Sequence, residues 1–145
     1  MSPMLLLLNL LLTALLTGLI WTIQLVHYPT LAAAGPTAFR TLHRLHCRAI
    51  TPLVAPLMVG ELLASIALWL TAPTNALFAL LTLLTLALWA VTGLLHVPLH
   101  QKLAAAFSPA LARQLVRSNW IRTALWSLRL LLLTSLATAN LTPES

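Results

Sequence analysis

Residues 50–95 read ITPLVAPLMVGELLASIALWLTAPTNALFALLTLLTLALWAVTGLL. Two apolar runs, about 50–70 and 75–95, flank the short interruption Thr71-Ala72-Pro73-Thr74. An α-helix rises 1.5 Å per residue, so ~20 mostly apolar residues cross the ~30 Å hydrocarbon core of a bilayer. The interruption has turn chemistry and is too short for anything but a reversal. The stretch therefore reads as a helical hairpin across a membrane. Working outward, a third run covers about 4–26 and a fourth about 119–139, which predicts an all-α, four-transmembrane-helix antiparallel bundle formed as one integral membrane domain over residues 1–145.

Composition excludes the alternatives. The 145 residues are 60% hydrophobic and 7% charged, against roughly 25% charged for a water-soluble domain. Disorder fails because there is too much apolar side chain. A disulfide scaffold fails because Cys47 is the single cysteine; from sequence it reads as a buried, inert thiol rather than one activated by Arg44 and Arg48. The net charge of +6 does not form one basic surface or a nucleic-acid motif. Arg40, Arg44 and Arg48 fall between the first two runs, and Lys102, Arg113 and Arg117 between the last two. By the positive-inside rule both basic connections face the cytoplasm and both termini lie outside, in a bacterial inner membrane. Phe39, Leu42, Leu45 and Ile50 recur near helical spacing, so the basic loops are expected to contain amphipathic segments at the interface. The first run lacks a basic leader and exceeds the ~7–15 apolar residues of a signal peptide, so it reads as a span.

The chemistry lies in polar residues at steps of three and four, which share a helix face. These are Thr13, Thr17, Trp21, Gln24 and His27 in the first run, and Met58, Glu61 and Ser65 in the second. The third run carries Thr82, Thr85, Trp89, Thr92, His96 and His100, and the fourth Asn119, Arg122, Trp126 and Arg129. Such stripes turn inward in a membrane bundle. Glu61 and Arg129 lie at similar depth, where an unpaired charge costs about 2.5–3.5 kcal/mol, so the two are expected to meet. All five histidines lie toward one end. His43 with His46, and His96 with His100, have spacings that present two imidazoles on one face, as metal coordination requires. His27, His43, His46, His96 and His100 are thus the candidate ligands for Fe, Cu, Zn or a haem, with cofactor-free chemistry also open. Trp89 and Trp126 are placed to wall a flat aromatic molecule, with Gln24 and Asn119 beside them.

Two segments, His96-Val97-Pro98-Leu99-His100-Gln101-Lys102-Leu103 and Asn119-Trp120-Ile121-Arg122-Thr123 followed by Trp126, resemble the anthrone oxygenase-like family of small four-helix membrane proteins. His27-Tyr28-Pro29 is similar to that family's proline-containing end of the first helix. The resemblance implies oxygenation of polyketide anthrones, without a dedicated metal or flavin, and site or scaffold roles for Pro98, Asn119 and Arg122. His96 and His100 stand where the family has asparagines, a departure that adds metal affinity and proton transfer.

These readings support two functions. One is a membrane oxidoreductase or oxygenase acting on a hydrophobic aromatic or quinone-like molecule, with Glu61, Arg122, Arg129, His96 and His100 as catalytic candidates. The other is an accessory subunit that holds haem, pigment or lipid in a larger membrane complex. The lipid bilayer is a partner in both; self-association stays open.

Overall fold

In the computed structural model, which describes residues 3–141, the chain forms a four-helix all-α bundle. The first helix runs over Pro3–Ala33, the second over Pro36–Leu70, the third over Ala76–Ala105 and the fourth over Pro109–Leu141. The first three are long and apolar enough to cross a membrane. The fourth carries Arg113, Arg117, Arg122 and Arg129 along its 33 residues.

The boundaries arise from local chemistry. Pro36 and Pro109 each occupy a first helical position, where a missing N–H costs nothing. Asn75 caps the third helix, its Oδ1 accepting from the backbone N–H groups of Leu77 and Phe78 at 2.9 and 3.2 Å. Asn75→Ala is expected to lower stability by about 1 kcal/mol in a denaturant titration, the usual value of such a cap.

The basic connections do not form helices of their own. Residues 36–49 are continuous with the second helix, and residues 109–118 with the fourth, so their arginines ride on extensions of these long helices. The second helix also continues through Pro52 and Pro56.

Two other prolines do change the helix. Pro29 and Pro98 are each preceded by a π-helical turn, Ile23–His27 and Thr92–His96. A proline ring has no N–H and clashes with the carbonyl four residues back. In both places the residue before the proline reaches five residues back instead: Tyr28 N–H bonds the Ile23 carbonyl, and Val97 N–H the Thr92 carbonyl. The pattern Leu25-Val26-His27-Tyr28-Pro29 recurs as Leu94-Leu95-His96-Val97-Pro98, a local repeat with one local structure. Each wide turn inserts a residue and rotates the downstream part of its helix by roughly 100°.

Packing is inverted relative to a soluble domain. Leu7, Leu11, Leu63, Leu83, Leu94 and Leu131 are exposed, whereas Asn9, Thr13, Glu61, Thr85, Asn119 and Arg129 are buried. An apolar exterior around polar contents suits lipid as solvent. Inside, one apolar cluster around Leu6, Leu68, Phe78, Leu81 and Leu133 fills the end near the termini. A larger cluster, including Leu16, Ile20, Met58, Leu88, Leu103 and Trp126, fills the opposite half.

Candidate metal centre and ligand cavity

Three polar assemblies occupy the bundle, and they differ in how completely their hydrogen bonds are made. The first is the ion pair. Arg129 Nε donates to Glu61 Oε1 at 3.0 Å, and both side chains are almost wholly buried. Around it, Thr13 donates to Glu61 Oε1 at 2.7 Å and Trp126 Nε1 donates to Glu61 Oε2 at 3.2 Å. Arg129 Nη2 donates to Asn9 Oδ1 and Ser65 Oγ, and Nη1 to the Leu81 carbonyl. Residues of all four helices meet here. Glu61 and Arg129 do meet, and every guanidinium nitrogen and both carboxylate oxygens have protein partners.

The second assembly is at the histidine-rich end. His43 and Cys47 stand one turn apart on the second helix, and His100 reaches them from the third. His43 Nε2 lies 2.9 Å from His100 Nδ1, and Cys47 Sγ lies 3.7 Å from each of those nitrogens. A tetrahedral ion with bonds of ~2.0–2.1 Å to nitrogen and ~2.3 Å to sulfur separates its ligands by roughly 3.3–3.6 Å. The triangle is within about half an ångström of that geometry, so the cluster is able to coordinate a metal ion. One thiolate and two imidazoles suit Zn, Cu or Fe. Three protein ligands leave a coordination position open, as exchangeable or catalytic sites do. Surface depressions bounded by Cys47, Thr51, Val97 and His100, and by Arg40, His43, Arg44 and Cys47, give access to it.

Of the five histidines, the triangle therefore gathers two. His46 stacks on His27, ring centroids 4.2 Å apart, outside the triangle. Cys47, read from the sequence as an inert thiol, supplies the third vertex. The signal for it was present: His43 and Cys47 have the i,i+4 spacing that puts two ligands on one helix face.

His100 faces two ways. Its Nδ1 belongs to the triangle, and its Nε2 lies 3.1 Å from the Tyr28 hydroxyl. A metal on Nδ1 requires the proton on Nε2, which then donates to Tyr28, the outer-shell arrangement that orients a metal-binding imidazole.

The third assembly is a cavity of about 240 Å³ reached by His100, Tyr28 and His46. Its walls are otherwise largely apolar, with Ile23, Ile50, Val54, Ala55 and Met58, but Trp89, Thr92, His96 and Arg122 also line it. Trp89 Nε1, Thr92 Oγ1, both ring nitrogens of His96 and Arg122 Nε are buried without a hydrogen-bond partner. Buried polar atoms are bonded in the great majority of cases, so a concentration of orphans at one cavity calls for something that fills it. Arg122 is held from behind: Nη1 donates to Asn119 Oδ1 at 3.4 Å, and the guanidinium lies 5.1 Å from the centre of the Trp126 ring. Asn119 in turn donates to Gln24 Oε1 at 2.8 Å. Gln24, Asn119 and Trp126 thus support the cavity from outside its wall, while Trp89 forms part of it. Neither Glu61 nor Arg129 lines it.

No family model, curated protein or solved structure matches this chain.

Proposed function

We propose that the protein is a four-span membrane oxidoreductase or oxygenase that works on a hydrophobic aromatic or quinone-like molecule beside a metal held by His43, Cys47 and His100. The observation that carries this reading is the shared wall. His100 borders the cavity of orphaned polar groups and is also a vertex of the metal-competent triangle. The metal would supply electron transfer or polarisation of a substrate oxygen.

The chain's own residues have separable tasks. Apolar side chains from the first three helices receive the body of the molecule. Arg122 and Trp89 donate to its oxygen, and Tyr28 ties His100 to the same space. A phenolic group oxidised by dioxygen passes its electrons to the oxygen and releases a proton, and His96, which lines the cavity, takes that proton. Glu61 and Arg129 hold the four helices in register one layer away. The resemblance of the segments around His96 and Arg122 to anthrone oxygenase-like proteins supports the oxygenase part of this reading, and the metal would be this chain's departure from that family's metal-free chemistry. By the positive-inside rule, the basic helix extensions support a cytoplasmic position for this end of the bundle, with the termini across the membrane. At about 240 Å³ the cavity falls below the ~300–1,000 Å³ of drug-sized ligand sites. That favours a bare ion with a small ring over a haem.

Purified protein loaded with metal is expected to consume oxygen in the presence of a hydrophobic phenol. His96→Leu should lower kcat by about 10²–10⁴-fold, the range for a lost general base, without changing metal content. His100→Ala should abolish both. An unchanged rate in His96→Leu would remove His96 from the chemistry, and metal-independent turnover would remove the metal.

A further inference from the structure

The charge balance of the cavity goes one step beyond the reading that it holds a hydrophobic oxygen-bearing molecule, and rests on that reading. Arg122 is 7% exposed, and the groups that touch it are neutral: the Asn119 amide oxygen, the Trp126 ring and the Tyr28 hydroxyl. The chain has two acidic residues. Glu61 is committed to Arg129, the one ion pair among the described residues, and Glu144 lies outside them. A buried guanidinium without a carboxylate is an incomplete electrostatic arrangement, since buried charges are ordinarily paired.

The orphaned atoms have a matching bias. Arginine Nε and tryptophan Nε1 only donate; the threonine hydroxyl both donates and accepts; a neutral histidine offers one N–H and one lone pair. Donors therefore outnumber acceptors around the cavity, and one of them carries a full positive charge. A neutral alcohol or amide would add its own donor to this set and leave the charge uncompensated. A ligand with an anionic, acceptor-only head answers both features at once.

The geometry points to a binding site for a small membrane-soluble organic oxyanion, its charged oxygen on Arg122 Nε and Trp89 Nε1 and its apolar body against Ile50, Val54 and Met58. Carboxylates and ionised phenols share this chemistry. The site is specified by Arg122 and is independent of metal occupancy, because none of its donors is a vertex of the triangle.

Full-length protein in detergent, stripped of metal with a chelator, tests this with three probes: octanoate, 4-nitrophenolate and octanol, at a pH where both acids are ionised. Calorimetry, together with the absorption shift of bound nitrophenolate, reads affinity and stoichiometry. One anion per chain is expected to bind, with octanol weaker by about tenfold or more, as loss of a charge-assisted hydrogen bond implies. Octanoate preferred over nitrophenolate identifies the ligand as an acid, the reverse as a phenol, and either supports the site. Arg122→Met should erase the preference for anions while leaving octanol binding in place. Should that variant fail to fold, Arg122→Lys and Trp89→Phe take its place, each weakening the anions and neither affecting octanol. Equal affinity for octanol and the anions, or unchanged anion affinity in these variants, overturns the proposal. Because the measurement is made without metal, its failure leaves the metal reading standing, and loss of metal binding leaves this one standing.

Discussion

Replacing Arg129 alone with leucine is expected to destabilise the bundle by about 3–5 kcal/mol, the cost of leaving a buried partner charge uncompensated. Glu61 is fully buried, and in the variant its carboxylate would retain only the Thr13 hydroxyl and the Trp126 indole N–H. Those two donors cannot replace a guanidinium at bonding distance. The same substitution strips donors from Asn9, Ser65 and the Leu81 carbonyl, which draws every helix into the loss. The double variant Glu61→Leu/Arg129→Leu removes both charges and is expected to be more stable than Arg129→Leu, because replacing a whole buried pair with apolar side chains is often neutral. A denaturant titration of the two single variants and the double in detergent gives the coupling energy directly. Additive losses, with the double worse than either single, would show that the pair contributes nothing beyond its separate contacts.

Metal binding should respond just as sharply, and selectively. Cobalt added to the purified chain is expected to bind one ion per chain and to show a thiolate-to-metal charge-transfer band. Cys47→Ser should remove that band, and His43→Ala or His100→Ala should abolish stoichiometric binding, because two remaining ligands cannot close a tetrahedral site. Tyr28→Phe keeps all three ligands and removes only the oxygen beside His100 Nε2. Its affinity should fall by ~10–100-fold, the usual effect of an outer-shell partner. His27→Ala and His46→Ala, which disturb the stacked pair outside the triangle, should leave stoichiometry intact. A cobalt spectrum lacking the thiolate band in the native chain, or full binding in Cys47→Ser, would assign the ion to other ligands.

These two expectations draw on information of different kinds. The Glu61–Arg129 contact was legible from sequence because depth along a helix is a one-dimensional quantity. Two charges about ten residues into apolar runs that point the same way reach the same layer. The cost of an unpaired charge in lipid then leaves little choice of partner. The metal triangle was not legible in this way. Counting by threes and fours from Trp89 through Thr92 to His96 and His100 assumes an unbroken 3.6-residue helix. The π turn over Thr92–His96 adds a residue within that count and turns His96 and His100 relative to the residues before them. The first helix has the same interruption over Ile23–His27. Both wide turns precede prolines, so their position could be inferred, but not the direction in which the subsequent imidazoles would settle.

Cys47 shows the same limit from the other side. Its spacing from His43 identifies a shared face. Whether that face meets a third ligand depends on where the third helix crosses the second, which sequence spacing does not encode.

The sequence by itself determined that apolar side chains would cover the exterior, that polar stripes would turn inward and that the acid of the second helix would find the arginine of the fourth. Each of these is a consequence of transfer free energies that act residue by residue. Tertiary structure alone decided that the polar interior divides into a hydrogen-bonded ionic layer, a His–Cys–His triangle and a cavity of unpartnered polar atoms. That division depends on helix rotation and crossing, which set side-chain distances far more finely than periodicity can specify.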